Sequence, residues 1–269
     1  MTSQFVGKCF CMITGASAGF GQALAQLMVK EGGLLSQAVN GSKIVLLSRN
    51  VSGMKQTRTA MEEKGYDMSR FDVEVVSIDL SDTGNTEGKT LEYLKKQSKE
   101  YDNLILFNNA GVLGDVTSTA VDKTHPIQDY QNLFNVNMVS PVFLITNVCQ
   151  HFSTSKRTIV QTSSIAAKQA LNCMSTYCSA KAGMDMFMKC LTKDHPDITT
   201  LSYSPGPMDT AIGNDLRLNH KVESVRESWE EMKEKGTIVN PYDSATKLLE
   251  VLQTGFKSGD FVDVFGRTG

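Results

Sequence analysis

Apolar positions along the chain fall into two rhythms. Short runs rich in β-branched and aliphatic residues occur at Lys8 to Ile13, Lys43 to Ser48, Val73 to Ile78, Asn103 to Phe107, Thr158 to Thr162, Ile198 to Tyr203 and Phe261 to Phe265. Each has strand length, and several are apolar almost throughout, the signature of strands buried on both faces. Between most of them apolar residues return every third or fourth position, which is helical spacing. Strands alternating with helices imply βαβ units with right-handed crossovers. The pattern predicts an α/β, doubly wound, Rossmann-type fold: a seven-stranded, mainly parallel sheet with helices on both faces and a ligand crevice at the strand carboxyl ends. At 269 residues, one domain spanning residues 1–269 suffices to bury a full core.

Interruptions refine this plan. Residues 32–42 are rich in Gly and Ser and read as a surface loop lengthening the connection into the second strand. Pro205-Gly206-Pro207 breaks the chain after the sixth strand, and charges crowd from Lys221 to Lys235 (KVESVRESWEEMKEK), as on a solvated helix face. Residues 207–235 are placed to form a cover over the crevice. The runs Tyr130 to Phe152 and Thr176 to Lys193 are helical and rich in Met, Phe, Leu and Val.

Composition narrows the function classes. With 41% hydrophobic and 21% charged residues and a formal net charge of -2, the chain presents no basic field, so no nucleic-acid partner is expected. The first apolar run, Cys9 to Ile13, stops at Thr14-Gly15, too short for a leader core or a bilayer span. No membrane partner and a cytoplasmic location are the expectation. Six cysteines without C-x-x-C spacing read as reduced, mostly buried thiols, and four scattered histidines offer no ligand cluster, so no metal is expected.

The candidate chemistry begins after the first strand, with Thr14-Gly15-Ala16-Ser17-Ala18-Gly19-Phe20-Gly21 leading into a helix. Glycines there allow a tight turn and close backbone approach to a pyrophosphate lying over a helix N-terminus. The second strand ends in Ser48-Arg49, where an acidic residue would hold the ribose 2′-hydroxyl of NADH and an Arg instead suits a 2′-phosphate, so NADPH is favoured. Asp79-Leu80 after the third strand would lie beside the adenine, and Asn109-Ala110-Gly111 after the fourth would lie against the ribose. Tyr177 and Lys181, four apart at the start of a helix, share one face. A phenol is a poor acid near neutral pH, and an adjacent ammonium is expected to bring it closer to the working range. Ser164, thirteen residues earlier, is placed to hydrogen-bond a substrate carbonyl oxygen beside that phenol.

The order Thr-Gly-x-x-x-Gly-x-Gly, Asn-Asn-Ala-Gly, Asn137, Ser164, Tyr177, Lys181 and Pro205-Gly206 resembles the short-chain dehydrogenase/reductase family over essentially the whole chain. The resemblance implies a nicotinamide-dependent reductase in which Tyr177 donates the proton, Lys181 also holds the nicotinamide ribose, Ser164 steadies the carbonyl and Asn137 supports a water-linked relay. Pro205, Met208, Asp209 and Thr210 match the segment beside the nicotinamide. More specific matches, including Gly19-Phe20-Gly21, Leu113-Gly114-Asp115-Val116 and Val262-Asp263, are shared with members that reduce pterin ketones. They imply a pterin substrate, with Gly206 lining it and Asp263 anchoring its 2-amino-4-oxo edge, and a homodimer formed by the two long apolar helices. In one departure, Ala18 stands where such members often carry Arg, so Arg49 must supply more of any preference for NADPH. Two other readings stay open: a reductase of small ketones or diketones that does not use Asp263, and a non-catalytic protein that senses NADPH.

Overall fold

The computed structural model describes residues 5–63, 66–122 and 124–268. Seven strands, β1 Cys9–Thr14, β2 Ser42–Ser48, β3 Phe71–Ser77, β4 Asn103–Asn108, β5 Lys156–Thr162, β6 Ile198–Ser204 and β7 Asp260–Asp263, form one sheet in the order β3-β2-β1-β4-β5-β6-β7. Every ladder between neighbouring strands is parallel. The sheet is thus wholly parallel where a mainly parallel one was expected. Strand order reverses between β1 and β4, and this switch point opens the crevice at the carboxyl edge.

Burial on both faces explains why β1, Cys-Phe-Cys-Met-Ile-Thr, carries no exposed residue. Cys9, Cys11 and Ile13 face one core layer, beneath helices α1 Gly19–Met28 and α9 Pro241–Thr254. Phe10 and Met12 face the other, beneath α3 Thr83–Lys95, α5 Ser140–His151 and α6 Ser175–Asp194. The remaining helices are α2 Val51–Glu63, α4 Ile127–Phe134, α7 Ala211–Asn219 and α8 Glu223–Glu234. The helical stretch Ile127–His151 has the length and hydropathy to cross a bilayer, yet half of its most apolar window is buried inside the protein. Its apolar character is that of a core helix, with Leu144, Ile145 and Val148 against the sheet.

Three expectations need correction. The segment 32–42 is not simply a surface loop: Leu34, Leu35 and Ala38 are buried in the core, and the Leu35 amide donates to the Met28 carbonyl at 2.9 Å. Its two leucines cap the end of α1, outweighing the Gly and Ser around them. The last strand stops at Asp263 rather than Phe265, because the chain turns back on the Asp263 carboxylate. Only Cys9, Cys11 and Cys149 are buried; Cys173 and Cys178 are partly open and Cys190 is exposed, though all six are free thiols. The charged run 221–235 does form a helix, α8, without a buried residue, as a solvated face requires.

Candidate active site

The carboxyl ends of β1 and β4 are locked together by side chains. Thr14 Oγ1 accepts the amides of Asn109 and Ala110, each at 2.9 Å, while Asn109 Nδ2 donates to the Thr14 carbonyl at 2.9 Å. This fixes the glycine-rich turn against the Asn-Asn-Ala-Gly segment. Gly15 has φ +68°, a left-handed conformation that favours glycine, and a Cβ on Gly21 would lie 2.4 Å from the Gly15 carbonyl oxygen. Both therefore serve the close turn. Helix α1 starts without a side-chain cap and with no acidic residue in its first turn, so its leading amides face the crevice free for an anion.

A cleft of about 150 Å³ lies beside this turn, lined by Gly15, Ser48, Arg49, Asp79, Leu80, Ala110 and Gly111 among others. Those seven were singled out from separate strand ends, and the fold brings them to one place. Ser17 Oγ lies 3.1 Å from Ser48 Oγ, tying the turn to the end of β2. The Asp79 carboxyl is held below its usual range, chiefly by the Ser81 hydroxyl and amide and also by the Arg49 guanidinium. Ala18 and Arg49 are exposed at the mouth. Phe20 does not face the cleft with its ring, which is buried and stacked on Tyr203 with centroids 6.0 Å apart. Its place in the motif is a packing role, leaving only its backbone at the turn.

Tyr177 and Lys181 emerge from the first turns of α6 on the same face, with Lys181 Nζ 5.6 Å from the Tyr177 ring centroid, and both are buried. Lys181 Nζ donates to the Thr162 carbonyl at the end of β5 at 2.8 Å. Ser164 follows β5, and its hydroxyl lies close enough to the Tyr177 phenol to favour the phenolate. Asn137 sits within a π-helical turn, Asn135–Val139, that interrupts the helix between α4 and α5. Its carboxamide clamps the Val112 backbone, accepting that residue's amide at 3.0 Å and donating to its carbonyl at 2.8 Å. A Cβ on Gly111 would stand 3.1 Å from Asn137 Oδ1 and 3.6 Å from Lys181 Nζ. Glycine thus lets the cleft reach both groups. The π turn was not legible in the apolar spacing; such turns cluster at functional sites.

The electrostatics differ from the expectation. Burial pushes the Tyr177 phenol up to about 12, with the Ser164 hydrogen bond pulling the other way, and burial brings the Lys181 amine down to about 8 against the pull of Asp185. Desolvation dominates both groups, so the phenol of the free protein is less acidic than ordinary Tyr, not more. At neutral pH this pairs a protonated phenol with a mostly protonated amine.

After the Pro205-Gly206-Pro207 break the chain runs close to the nucleotide turn. Thr210 Oγ1 caps α7 by accepting the Gly213 amide, and a Cβ on Gly19 would meet the Thr210 methyl at 3.3 Å, so the segment leading into α7 leaves the sheet beside the nucleotide turn. Leu216 of α7 joins Leu113, Val116, Met174 and Tyr177 in a small apolar cluster, with Ile212 and Trp229 against it. That cluster keeps water from the phenol. Met208 pairs with Val239 through a bridge, Asp209 is exposed, and Pro205 is buried at the end of β6. Gly206, with φ +82°, leaves room for Val264 and Phe265 beyond β7. Asp263 ends β7 at the same carboxyl edge, its side chain only 8% exposed. A larger cavity, about 340 Å³, opens beside Thr176 with Asp115, Ser118, His125 and Cys173 in its wall; Gly114 and Asp115 of the Leu113–Val116 match line it, and none of the candidate catalytic, cofactor or pterin-contact residues does. Among the described residues there is no cluster of side chains suited to a metal.

The arrangement fits a nicotinamide dinucleotide along β1, β2 and β4, and a carbonyl held by Ser164 and Tyr177. The dinucleotide supplies or accepts hydride when bound. In this arrangement the chain's own groups can orient a carbonyl, exclude water and move a proton at the phenol oxygen.

Comparison with known proteins shows the family. The family model for short chain dehydrogenase matches residues 10–221. Bovine sepiapterin reductase is 34% identical over 267 residues, covering 97% of this chain and 96% of the relative, and the Xenopus laevis sepiapterin reductase is 31% identical with 97% of both chains covered. A benzil reductase of Bacillus subtilis is 27% identical over 94% of this chain and 97% of its own. Among solved structures, an alcohol dehydrogenase from Thermococcus sibiricus complexed with 5-hydroxy-NADP superposes with a TM-score of 0.71 at 18% identity, covering 96% and 95% of the two chains. From the shared fold, the phenol–amine pair and these matches along nearly the full length, the chain belongs to the short-chain dehydrogenase family of oxidoreductases.

Proposed function

We propose that the protein is an NADPH-dependent carbonyl reductase acting on the side-chain ketone of sepiapterin and related 6-acyl pterins, in tetrahydrobiopterin synthesis. Tyr177 donates the proton, Lys181 and Ser164 stabilise the phenolate left behind, and Ser164 orients the carbonyl. Asn137 supports the site through its clamp on Val112. The observation that carries the substrate reading is Asp263: a buried carboxylate at the end of β7 on the edge that also holds Ser164 and the nucleotide turn. A pterin presents N–H donors along its 2-amino-4-oxo edge, and a carboxylate accepts two such bonds in parallel. Anchoring that end carries the ketone toward Tyr177, which is catalysis by positioning. Gly206 lies at the end of β6 packed against Val264 and Val239, and it would line the ring system through its backbone.

The preference for NADPH rests on Arg49 at the end of β2, beside an exposed Ala18 that contributes no charge. We place the protein in the cytoplasm, a setting that suits its six free thiols. We further propose a homodimer: Val139, between α4 and α5, and Met186 on α6 expose 48% and 59% of their surfaces, and pairing across a two-fold axis would cover them. Elution on a sizing column tests this.

A second reading, reduction of small diketones without Asp263, is favoured by the likeness to the benzil reductase. The deciding assay follows loss of the yellow pterin with NADPH and compares two substrates. Asp263→Asn is expected to raise KM for sepiapterin about tenfold or more, since a hydrogen bond to a charged group contributes roughly 1.5–3 kcal/mol. An equal rise for a small diketone would show that Asp263 is no anchor.

A further inference from the structure

Beyond β7 the chain reverses and lays its own cation on the Asp263 carboxylate. Gly266, with φ +80°, makes the turn; its amide donates to the Asp263 carbonyl at 2.9 Å, and the Asp263 amide donates to the Arg267 carbonyl at 3.0 Å. Thr268 then bridges antiparallel to Val262, and Gly269 lies outside the described residues. Asp263 Oδ1 accepts the amides of Phe265 at 3.0 Å and Arg267 at 2.9 Å, and Oδ2 accepts Arg267 Nε at 2.6 Å. Of the four lone-pair directions of a carboxylate, three are taken, one of them by a charged donor.

We propose that Arg267 is a specificity-determining residue that competes with the pterin for Asp263, an inference that rests on Asp263 being the pterin anchor. The guanidinium and the 2-amino-4-oxo edge present the same kind of planar N–H donor array, so they claim the same oxygen. Arg267 is poised to yield, because its side chain is 71% exposed and can turn into water while the backbone bonds to Oδ1 stay in place. The Phe265 ring, with its centroid 5.2 Å from the guanidinium, helps hold the side chain over the carboxylate until substrate displaces it. Arg267 thereby raises KM for substrates that need the anchor and leaves untouched small ketones that never reach it. The ratio of the two activities is set by one side chain outside the catalytic group.

The test is Arg267→Ala, assayed with sepiapterin and with a small diketone, alone and combined with Asp263→Asn. Removing an exposed ion-pair partner is expected to lower KM for sepiapterin about three- to fivefold with kcat unchanged. KM for the diketone should stay constant, and calorimetric titration of sepiapterin into the NADP⁺ complex should show the same gain in Kd. In the Asp263→Asn background the benefit should vanish, because the contested charge is gone. NADPH affinity, read by fluorescence, reports that each variant is folded. Should Arg267→Ala leave or raise KM for sepiapterin while Asp263→Asn still weakens it, competition is refuted and the anchor survives. Should Asp263→Asn have no effect on sepiapterin, the anchor itself is lost and the competition with it.

Discussion

Arg49 gives the most direct access to cofactor choice, because it is the one cation among the described residues that line the cleft. It follows β2 directly, stands exposed at the mouth of the cleft and is felt electrostatically by Asp79 across it. Helix α2 starts two residues later with no acidic residue in its first turn, so its amides also favour an anion. A charge-assisted bond from Arg49 to a 2′-phosphate contributes about 1.5–3 kcal/mol, which at ~1.4 kcal/mol per decade is roughly 10- to 100-fold in affinity. Since Ala18 supplies no second cation, Arg49→Ala should forfeit all of it: KM for NADPH rises roughly 10- to 100-fold while KM for NADH, which carries no such phosphate, changes less than about twofold. Initial rates with both cofactors at two ionic strengths check this. Because Arg49 is exposed, the wild-type preference should also shrink as salt rises toward about 1 M, where the screening length falls to ~3 Å. Equal losses with both cofactors, or a preference indifferent to salt, would refute the assignment.

Two further outcomes concern buried charge. If the Lys181 amine near 8 stabilises the phenolate as it forms, kcat/KM for ketone reduction should fall as pH rises through about 8, by up to about tenfold per unit, and a flat profile from pH 6 to 10 would contradict it. Asp185 lies one turn beyond Lys181, buried, and neither of its carboxylate oxygens has a hydrogen bond among the described residues. Burial raises its carboxyl, with the Ser163 and Ser202 hydroxyls pulling the other way. A raised acid is neutral in both states at low pH and loses stability as pH climbs through the folded value. Asp185→Asn should therefore be more stable than the parent by about 1–3 kcal/mol near pH 8, with the gap closing toward pH 4; urea unfolding at several pH values tests this, and a constant gap would count against it.

The sequence carried the sheet because its central strands are buried on both faces. Residues such as Phe10-Cys11-Met12-Ile13 read as strand wherever the surrounding helices lie. It carried the nucleotide turn because Gly15 and Gly21 answer to backbone geometry, which is local. What it could not carry was context. Leu34 and Leu35 look like loop residues until α1 ends above them. Phe20 reads as part of a binding motif, and only the position of Tyr203, far along the chain, turns its ring into the core. The π turn at Asn137 shifts register by one residue without changing the apolar content of the helix. Arg267 was silent for the same reason: a charged residue four after an Asp carries no message until a glycine turn folds it back.

The phenol is where sequence reasoning and structure part most usefully. A Tyr beside a Lys suggests a phenol made acidic, and an acidic phenol would be partly ionised before the ketone arrives. Burial does the opposite, holding Tyr177 near 12, so it keeps its proton throughout the neutral range. For a reductase that is the useful state, since a proton donor must not have lost its proton in advance. The cost falls on the phenolate that remains after transfer, and the neighbours are placed to lower it: the Ser164 hydroxyl beside the phenol favours the phenolate, and Lys181, pinned to Thr162 at 2.8 Å, keeps its charge on the same face. Their help grows as negative charge develops, so it is felt in the transition state more than in the ground state, and only such differential help raises kcat. Lys181 therefore serves less to acidify the resting phenol than to receive the phenolate, and the two views separate experimentally in the pH at which activity declines.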